Sequence, residues 1–392
     1  MSDRYRGAAF AASALALLTA GAQAETVKVG VIGPLSGPNA LYGQNFRWGL
    51  EAFVEANGAT REGHEIEFVY RDLPSVDPAR ARSLAQELIV SDGVRYLTGI
   101  YFTPNALAIA PLLEEADVPL VVLNAATSSI TQASPLVVRT SFTMWQNTVP
   151  AAKVAAEQGS RRAIVVVSDY GPGVDAETAF RATFEAAGGE VVEAVRIPLS
   201  TTDFNPVALR IRESGADLAF VFFPSGAPTL GFMRAYVGNG LREGGVDLIS
   251  TGDLLPEPDL PAFGDTALGL RSTYHYALAH ASPENAAFVE ALEAVGASRD
   301  RVAMSAVAAF DGARLIYEMI DATDAGQDAA AAVEAVKGLS WESPRGPVSI
   351  DPQTRHITQT VYLREVVRQD GRYEHREIRS FPAQPDWGLA RP

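Results

Sequence analysis

The 392-residue chain contains no cysteine. That absence excludes a disulfide framework, a thiolate nucleophile and a cysteine-ligated zinc site. It does not assign a compartment, because exported proteins need not carry disulfides. Histidine is nearly as scarce, with five residues at 64, 275, 280, 356 and 375. His275 and His280 miss the i, i+4 register that puts two ligands on one helix face, so no metal centre is expected. Positive charge is also in deficit: Lys and Arg total 32 against 47 Asp and Glu, a net charge of −15. This argues against nucleic acid or an anionic membrane as a partner. The acidic excess forms no long run and reads as a solvated surface. Motifs are missing too. Gly30, Gly33 and Gly37 are wrongly spaced for a dinucleotide fingerprint, and no G-x-x-x-x-G-K-[ST] occurs. Ser36, in G-P-L-S-G, is not the serine of a nucleophile elbow. No carboxylate pairing suggests acid–base work. An enzyme reading has no residues to stand on, and no cofactor is expected.

The N-terminus has the grammar of a leader. Arg4 and Arg6 precede an apolar stretch over 8–20, and Ala22-Gln23-Ala24 matches a small-x-small cleavage site, which predicts a signal peptide over 1–24 and a mature start at Glu25. An apolar run of about 13 residues is too short to span a bilayer. Without a lipobox cysteine a lipid-anchored form is not expected, and no later stretch is apolar enough to cross a membrane. The expected product is soluble, secreted and periplasmic.

What is present is organised around the stretch that begins at Val27. Val27, Val29 and Val31 alternate with Lys28 and Gly30 as a short β-branched strand. Gly33, Pro34, Ser36, Gly37 and Pro38 make a tight loop with bare backbone N–H groups. Phe46, Leu50, Phe53 and Val54 recur at helical spacing until Asn57-Gly58 stops the helix, and Ile66, Phe68 and Tyr70 make the next strand. This βαβ unit has its loop at the carboxyl end of the strand, where open α/β sheets bind ligands. The same grammar continues, with helices over 79–90 and 107–116 and strands over 94–100 and 119–123. A second series has helices at 149–158, 176–187, 206–214 and 229–239 and strands at 163–167, 190–197, 218–223 and 247–250. Helices at 283–295, 304–320 and 329–337 follow, then closing strands at 341–350 and 359–367. Gly371 and Pro382-Ala383-Gln384-Pro385 suggest a frayed tail. The fold class is α/β, two Rossmann-like halves of parallel, doubly wound sheet that divide near residues 140–150.

The run GVIGPLSGPNALYGQ, then EANG, then the strand ending Arg71-Asp72, resembles the opening of periplasmic substrate-binding proteins of ABC importers. More narrowly it resembles the leucine/isoleucine/valine-binding, type I family, and the resemblance runs through most of the chain after Glu25. It implies two lobes joined by a hinge that the chain crosses three times: lobe 1 over 25–144 plus 275–350, lobe 2 over 145–274 plus 351–392. A ligand cleft lies between them. It also implies delivery of the solute to an ABC permease and ATPase complex at the inner membrane.

Two loops carry the binding expectation on residue grounds. Thr103-Pro104-Asn105 opens a helix, so its hydroxyl and N–H groups face an anion site. Asn124-Ala125-Ala126-Thr127 offers small side chains and a second hydroxyl. Each loop alone reads better as a helix cap, and the two together, in the family pattern, read as a binding site. The resemblance is sharper: it implies that Thr103, Ala125 and Thr127 hold a ligand carboxylate, that Tyr42 covers the ligand, that Tyr170 closes over it from lobe 2, and that Asp253 holds an ammonium group. Three departures stand out. Gly226 falls where branched-chain binders carry a second lobe-2 tyrosine. Asp253 is one methylene shorter than the usual Glu. The disulfide of some members is missing at places near Val76 and Phe102. Tyr101, Phe102 and Trp145 are further cleft-lining candidates. The expected ligand is a small carboxylate-bearing solute, first an amino acid of branched-chain or similar type. The runner-up is an aromatic or other organic acid, favoured by the missing tyrosine and the aromatic-rich loops. A ligand-sensing type I protein is a further alternative.

Overall fold

The computed structural model describes residues 25–325 and 327–389; the predicted leader over 1–24 lies outside the described residues. The chain opens with β1 (Thr26–Gly33), α1 (Ala40–Asn57), β2 (Thr60–Arg61), β3 (His64–Asp72), α2 (Pro78–Val90), β4 (Tyr96–Gly99), α3 (Thr103–Ala116), β5 (Leu120–Val122) and β6 (Val137–Arg139). These strands make a sheet in the order β2-β3-β1-β4-β5-β6. Only β2 runs antiparallel to its neighbour. β1 sits between β3 and β4, which is why Val27, Val29 and Val31 are wholly buried. α2 starts where its sequence predicts, since Asp77 accepts the Arg80 N–H at 2.9 Å and Pro78 needs no donor partner.

The second series is α4 (Met144–Glu157), β7 (Arg162–Ser168), α5 (Gly171–Ala186), β8 (Glu190–Ile197), α6 (Asn205–Glu213), β9 (Leu218–Phe222), α7 (Ala227–Gly238), β10 (Asp247–Thr251), the short α8 (Leu260–Phe263) and β11 (Arg271–Tyr274). α4 begins earlier than apolar spacing alone predicts, because Thr143 and Gln146 form a capping box. Next come α9 (Pro283–Ala294), α10 (Met304–Thr323) and α11 (Ala329–Val336), of which α10 packs along α1 on the first sheet. The closing strands are β12 (Ser340–Ser343), β13 (Gly346–Ile350), β14 (Ile357–Gln369) and β15 (Arg372–Gln384).

The second sheet runs β12-β13-β14-β11-β10-β9-β7-β8, with β15 paired to β14. Two expectations are corrected here. The 341–350 strand is a hairpin, β12 and β13, turned at the Pro344-Arg345 corner. The tail is not frayed: β15 pairs antiparallel with β14 from Gln384 back to Arg372. Its sequence, RYEHREIRSFPAQ, is mostly polar and hides the strand, because its solvent face dominates its composition.

The hairpin couples the two halves. Its backbone pairs with β14 of the second sheet, while Trp341, Val348 and Ile350 sit in the core of the first. Arg345 at the corner is fully buried and ion-paired with Asp311 of α10, its Nε 3.0 Å from Oδ2. It also donates to the carbonyls of Thr140 (2.6 Å) and Ser141 (3.2 Å) and to Gln359 Oε1 (2.9 Å). Trp341 and Ser343 add donors to Asp311, both at 2.8 Å. One buried arginine thereby ties α10 to the segment after β6 and to the start of β14. Among the described residues no helix is long and apolar enough to cross a membrane.

Candidate functional site

In each sheet the chain reverses its winding beside a central strand: β1 lies between β3 and β4, and β7 lies between β8 and β9. Loops at the carboxyl ends of strands next to such a switch point make the crevice of an open α/β sheet. Here the loops after β1, β4 and β5 face those after β7, β9, β10 and β11, and most of the candidate residues sit on them or on the helix turns they open.

The first-sheet side starts with Ile100, which follows β4 in a left-handed conformation at φ 63°. A β-branched residue there costs on the order of 1–3 kcal/mol unless its surroundings hold it. They do: its N–H donates to the Ile32 carbonyl at 2.8 Å, and its carbonyl accepts the Ala125 N–H at 3.1 Å. The strained turn delivers Tyr101, Phe102 and Thr103 in succession. Thr103 and Thr127 place their hydroxyl oxygens 3.0 Å apart. Ala125 has spent its N–H on Ile100, so its carbonyl is what it can offer a ligand. Tyr42, in the first turn of α1, lies 5.2 Å from Tyr101, ring to ring, and both are buried.

The second-sheet side closes on this surface. Tyr170, at the start of α5, stacks 6.2 Å from Phe222. The next residue, Gly171, comes so near that an added Cβ would lie 2.5 Å from Thr127 Oγ1. Tyr101 donates its hydroxyl to the Ser225 carbonyl at 3.3 Å, another contact across the crevice. Gly226 adopts φ 123°, which only glycine tolerates well, and a Cβ there would meet Asn39 Oδ1 at 3.2 Å. The tyrosine missing from this position is thus displaced by backbone geometry and by a close approach between the lobes.

Asp253 is the most constrained of the candidates. It follows β10, is buried, and accepts the Thr251 hydroxyl at 2.9 Å and the Tyr274 hydroxyl at 3.1 Å. Burial pushes its carboxyl up to about 6, against the pull of those hydroxyls and of the Arg364 charge. Arg364 is fully buried behind it. The guanidinium lies 4.8 Å from the Tyr274 ring centre and donates to Ser272 Oγ at 3.2 Å and Glu257 Oε1 at 3.3 Å. Burial holds the hydroxyls of Tyr101, Tyr170 and Tyr274 well above their ordinary range, so they act as neutral donors.

Two voids of about 10 Å³ each mark the centre of this closed crevice. Each has room for about one water. Tyr101, Asn124 and Asp253 border both; Tyr42 and Tyr274 border one, and Tyr170 and Phe222 the other. Asn124 donates to the Tyr101 carbonyl at 2.9 Å. Outside lies a groove of about 660 Å³, bordered by Phe102 and Val76 from the first side and by Pro224, Ser225, Leu230 and Arg234 from the second. The structure therefore gathers Tyr42, Tyr101, Tyr170 and Asp253 around the voids and places Phe102 at the mouth, while Thr103, Ala125 and Thr127 border neither void. Trp145 lies elsewhere, against Gly388 of the C-terminal segment. Gly226 borders neither void.

Sequence reasoning passed over Arg364 and Ser225. Arg364 had a signal: one arginine amid the apolar run of β14, at a position that faces inward. Ser225 had none, since it acts through its backbone carbonyl and through a hydroxyl that donates to the Asp253 carbonyl at 2.8 Å.

Two α/β halves, a multi-strand hinge and a loop-lined crevice between them define a type I periplasmic binding architecture. A model of the periplasmic binding protein family matches residues 26–372, and the chain belongs to that family. It is 55% identical over 381 residues, 97% of each chain, to "Leu/Ile/Val-binding protein homolog 6" of Brucella melitensis biotype 1. Among solved structures it resembles an ABC transporter solute-binding protein of R. palustris in complex with 4-hydroxybenzoate, with a TM-score of 0.93 and 62% identity. That match covers 94% of this chain and all of the other. A second, from Rhodopseudomonas palustris BisB5 in complex with 3,4-dihydroxybenzoic acid, has a TM-score of 0.88 at 38% identity, over 93% of this chain and 99% of that one.

Proposed function

We propose that the chain is the periplasmic solute-binding component of an ABC importer and that it captures a hydroxylated aromatic carboxylate of the 4-hydroxybenzoate kind. The mature protein starts at Glu25, and lobe 1 (25–144 plus 275–350) closes on lobe 2 (145–274 plus 351–392) to hand the solute to a permease and ATPase complex. The observation that carries the ligand reading is the setting of Asp253. An amino-acid site needs an acid whose charge is left for an ammonium group. Here the acid is already held by two hydroxyls, and the buried Arg364, itself paired with Glu257, adds only a weaker pull from behind. What it retains is lone-pair capacity, which suits a neutral donor such as a phenolic hydroxyl. The carboxylate end then replaces the Thr103–Thr127 contact with hydrogen bonds from both hydroxyls, and the tyrosine and phenylalanine rings supply flat apolar walls. The relatives that carry 4-hydroxybenzoate and 3,4-dihydroxybenzoic acid support this reading.

Calorimetry of the mature chain with 4-hydroxybenzoate, benzoate and L-leucine tests it. Binding of 4-hydroxybenzoate, weaker binding of benzoate and none of leucine is expected; leucine binding with no response to the aromatic acids overturns it. A branched-chain amino acid is the second reading, favoured by the name of the 55%-identical relatives. On that reading Asp253→Asn costs several kcal/mol of leucine affinity, the loss expected when a desolvated ion pair is broken. On ours the same substitution chiefly erases the preference for 4-hydroxybenzoate over benzoate.

A further inference from the structure

The groove outside the closed crevice is bordered by a single charged residue, and that charge is positive. The chain carries a net charge of −15. Of the residues that border the groove, Arg234 alone is charged; the others are apolar, hydroxyl-bearing or amide. Arg234 is exposed on α7 and, among the described residues, makes no hydrogen bond, ion pair or ring contact. Most arginines elsewhere on the surface are otherwise engaged, as in the Arg71–Glu87, Arg162–Glu190 and Arg196–Glu177 pairs. An unpaired cation kept in an otherwise neutral, apolar-walled groove has its field undiminished by a partner.

The groove adjoins the inner site. Pro224 borders both the groove and one void, and Ser225 borders the groove and the other. Phe102, at the groove wall, stands edge-on 4.8 Å from Tyr101, which borders both voids. The volume of about 660 Å³ lies within the roughly 300–1,000 Å³ of small-molecule sites.

We infer that this groove is an encounter subsite for an aromatic carboxylate, in which Arg234 draws the anion to the cleft mouth against the net negative charge and Phe102 and Leu230 receive its ring before it passes inward. The inference rests on the aromatic-acid reading above. An anion that approaches an acidic protein is slowed by like charge, and one cation focused in a low-dielectric groove offsets this through the association rate. Dissociation from the inner site, where Arg234 makes no contact, is left alone.

Stopped-flow association of 4-hydroxybenzoate with the mature chain, as wild type, Arg234→Gln and Arg234→Glu, tests it. The Gln variant is expected to associate about threefold more slowly than wild type in about 10 mM salt and the Glu variant about tenfold, with koff unchanged. At about 1 M salt, where the Debye length is near 3 Å, the three rates converge. Equal association rates at low salt overturn the subsite while leaving the aromatic-acid reading standing. So does a change confined to koff, which would place Arg234 in the final bound complex. Wild type that binds none of 4-hydroxybenzoate, 3,4-dihydroxybenzoate and benzoate by calorimetry overturns both together. Unchanged thermal melting of the variants confirms that charge alone was altered.

Discussion

Asp253 and Asp311 are both buried aspartates, and they are solved in opposite ways. Asp311, on α10 beside the Arg345 corner, receives Arg345, Trp341 and Ser343 and leaves no room for anything else. Asp253, in the crevice, receives two hydroxyls; its arginine stands back behind Tyr274, and both inner voids touch it. A carboxylate saturated by a close ion pair fixes structure. One that is stabilised but unsaturated keeps capacity for a solute. The contrast separates a knot that fixes structure from an acid that keeps free capacity.

Breaking the Asp311 side has the largest expected effect. Arg345→Ala leaves Asp311 buried without its cation and unties Thr140, Ser141 and Gln359 at once. Loss of one partner of a buried pair costs about 3–5 kcal/mol, to be read from urea unfolding. A loss below about 1 kcal/mol would mean that the knot does not fix structure.

The crevice side is sharpened by pH. The Asp253 carboxyl is raised to about 6 in the folded chain, above an ordinary value near 3.9. The native state therefore binds this proton more tightly than the unfolded chain does. Its contribution is present in full below pH about 4 and is lost as pH rises through about 6. Asp253→Asn should remove that slope, changing the difference in stability between pH 4 and pH 7 by at most about 3 kcal/mol. Melting curves of wild type and variant that run parallel across this range would show that the acid is not perturbed.

Thr127→Val probes the same side through the ligand. The substitution keeps shape and removes one donor to a charged group, so 4-hydroxybenzoate affinity should fall by about 1.5–3 kcal/mol with melting unchanged. Unaltered affinity would leave the Thr127 hydroxyl as a partner of Thr103 only. The smallest effect is expected outside both regions. The Arg162–Glu190 pair is 2.8 Å apart with both side chains at least half exposed, and Glu190→Gln should alter stability by less than about 0.5 kcal/mol. A larger loss in denaturant titration would blur the distinction between buried and exposed charge on which the comparison stands.

Much of the architecture was legible beforehand, because strands and helices that alternate with a clear change of period force parallel sheets with loops at their carboxyl ends. The short buried β6 and β11 escaped notice, since three or four residues carry no period. β15 escaped for the opposite reason: one of its faces is solvated, and its alternation is masked by charged side chains. At the site, the hydroxyl loops and the strand-end acid stood out as residue types at loop positions. Arg364 did not, because it is far along the chain and reaches the crevice only through the β11–β14 pairing.

The sequence by itself determined the α/β class, the two-part grammar, the loops that would face a solute and the acid at the end of β10, for each of these follows from local periodicity and turn chemistry. Only the tertiary structure decided the setting of that acid. The Tyr274 hydroxyl that holds Asp253 and the Arg364 charge that pulls on it come from strands about twenty and more than a hundred residues later. Electrostatics acts through space in a low-dielectric interior, and sequence distance says nothing about it.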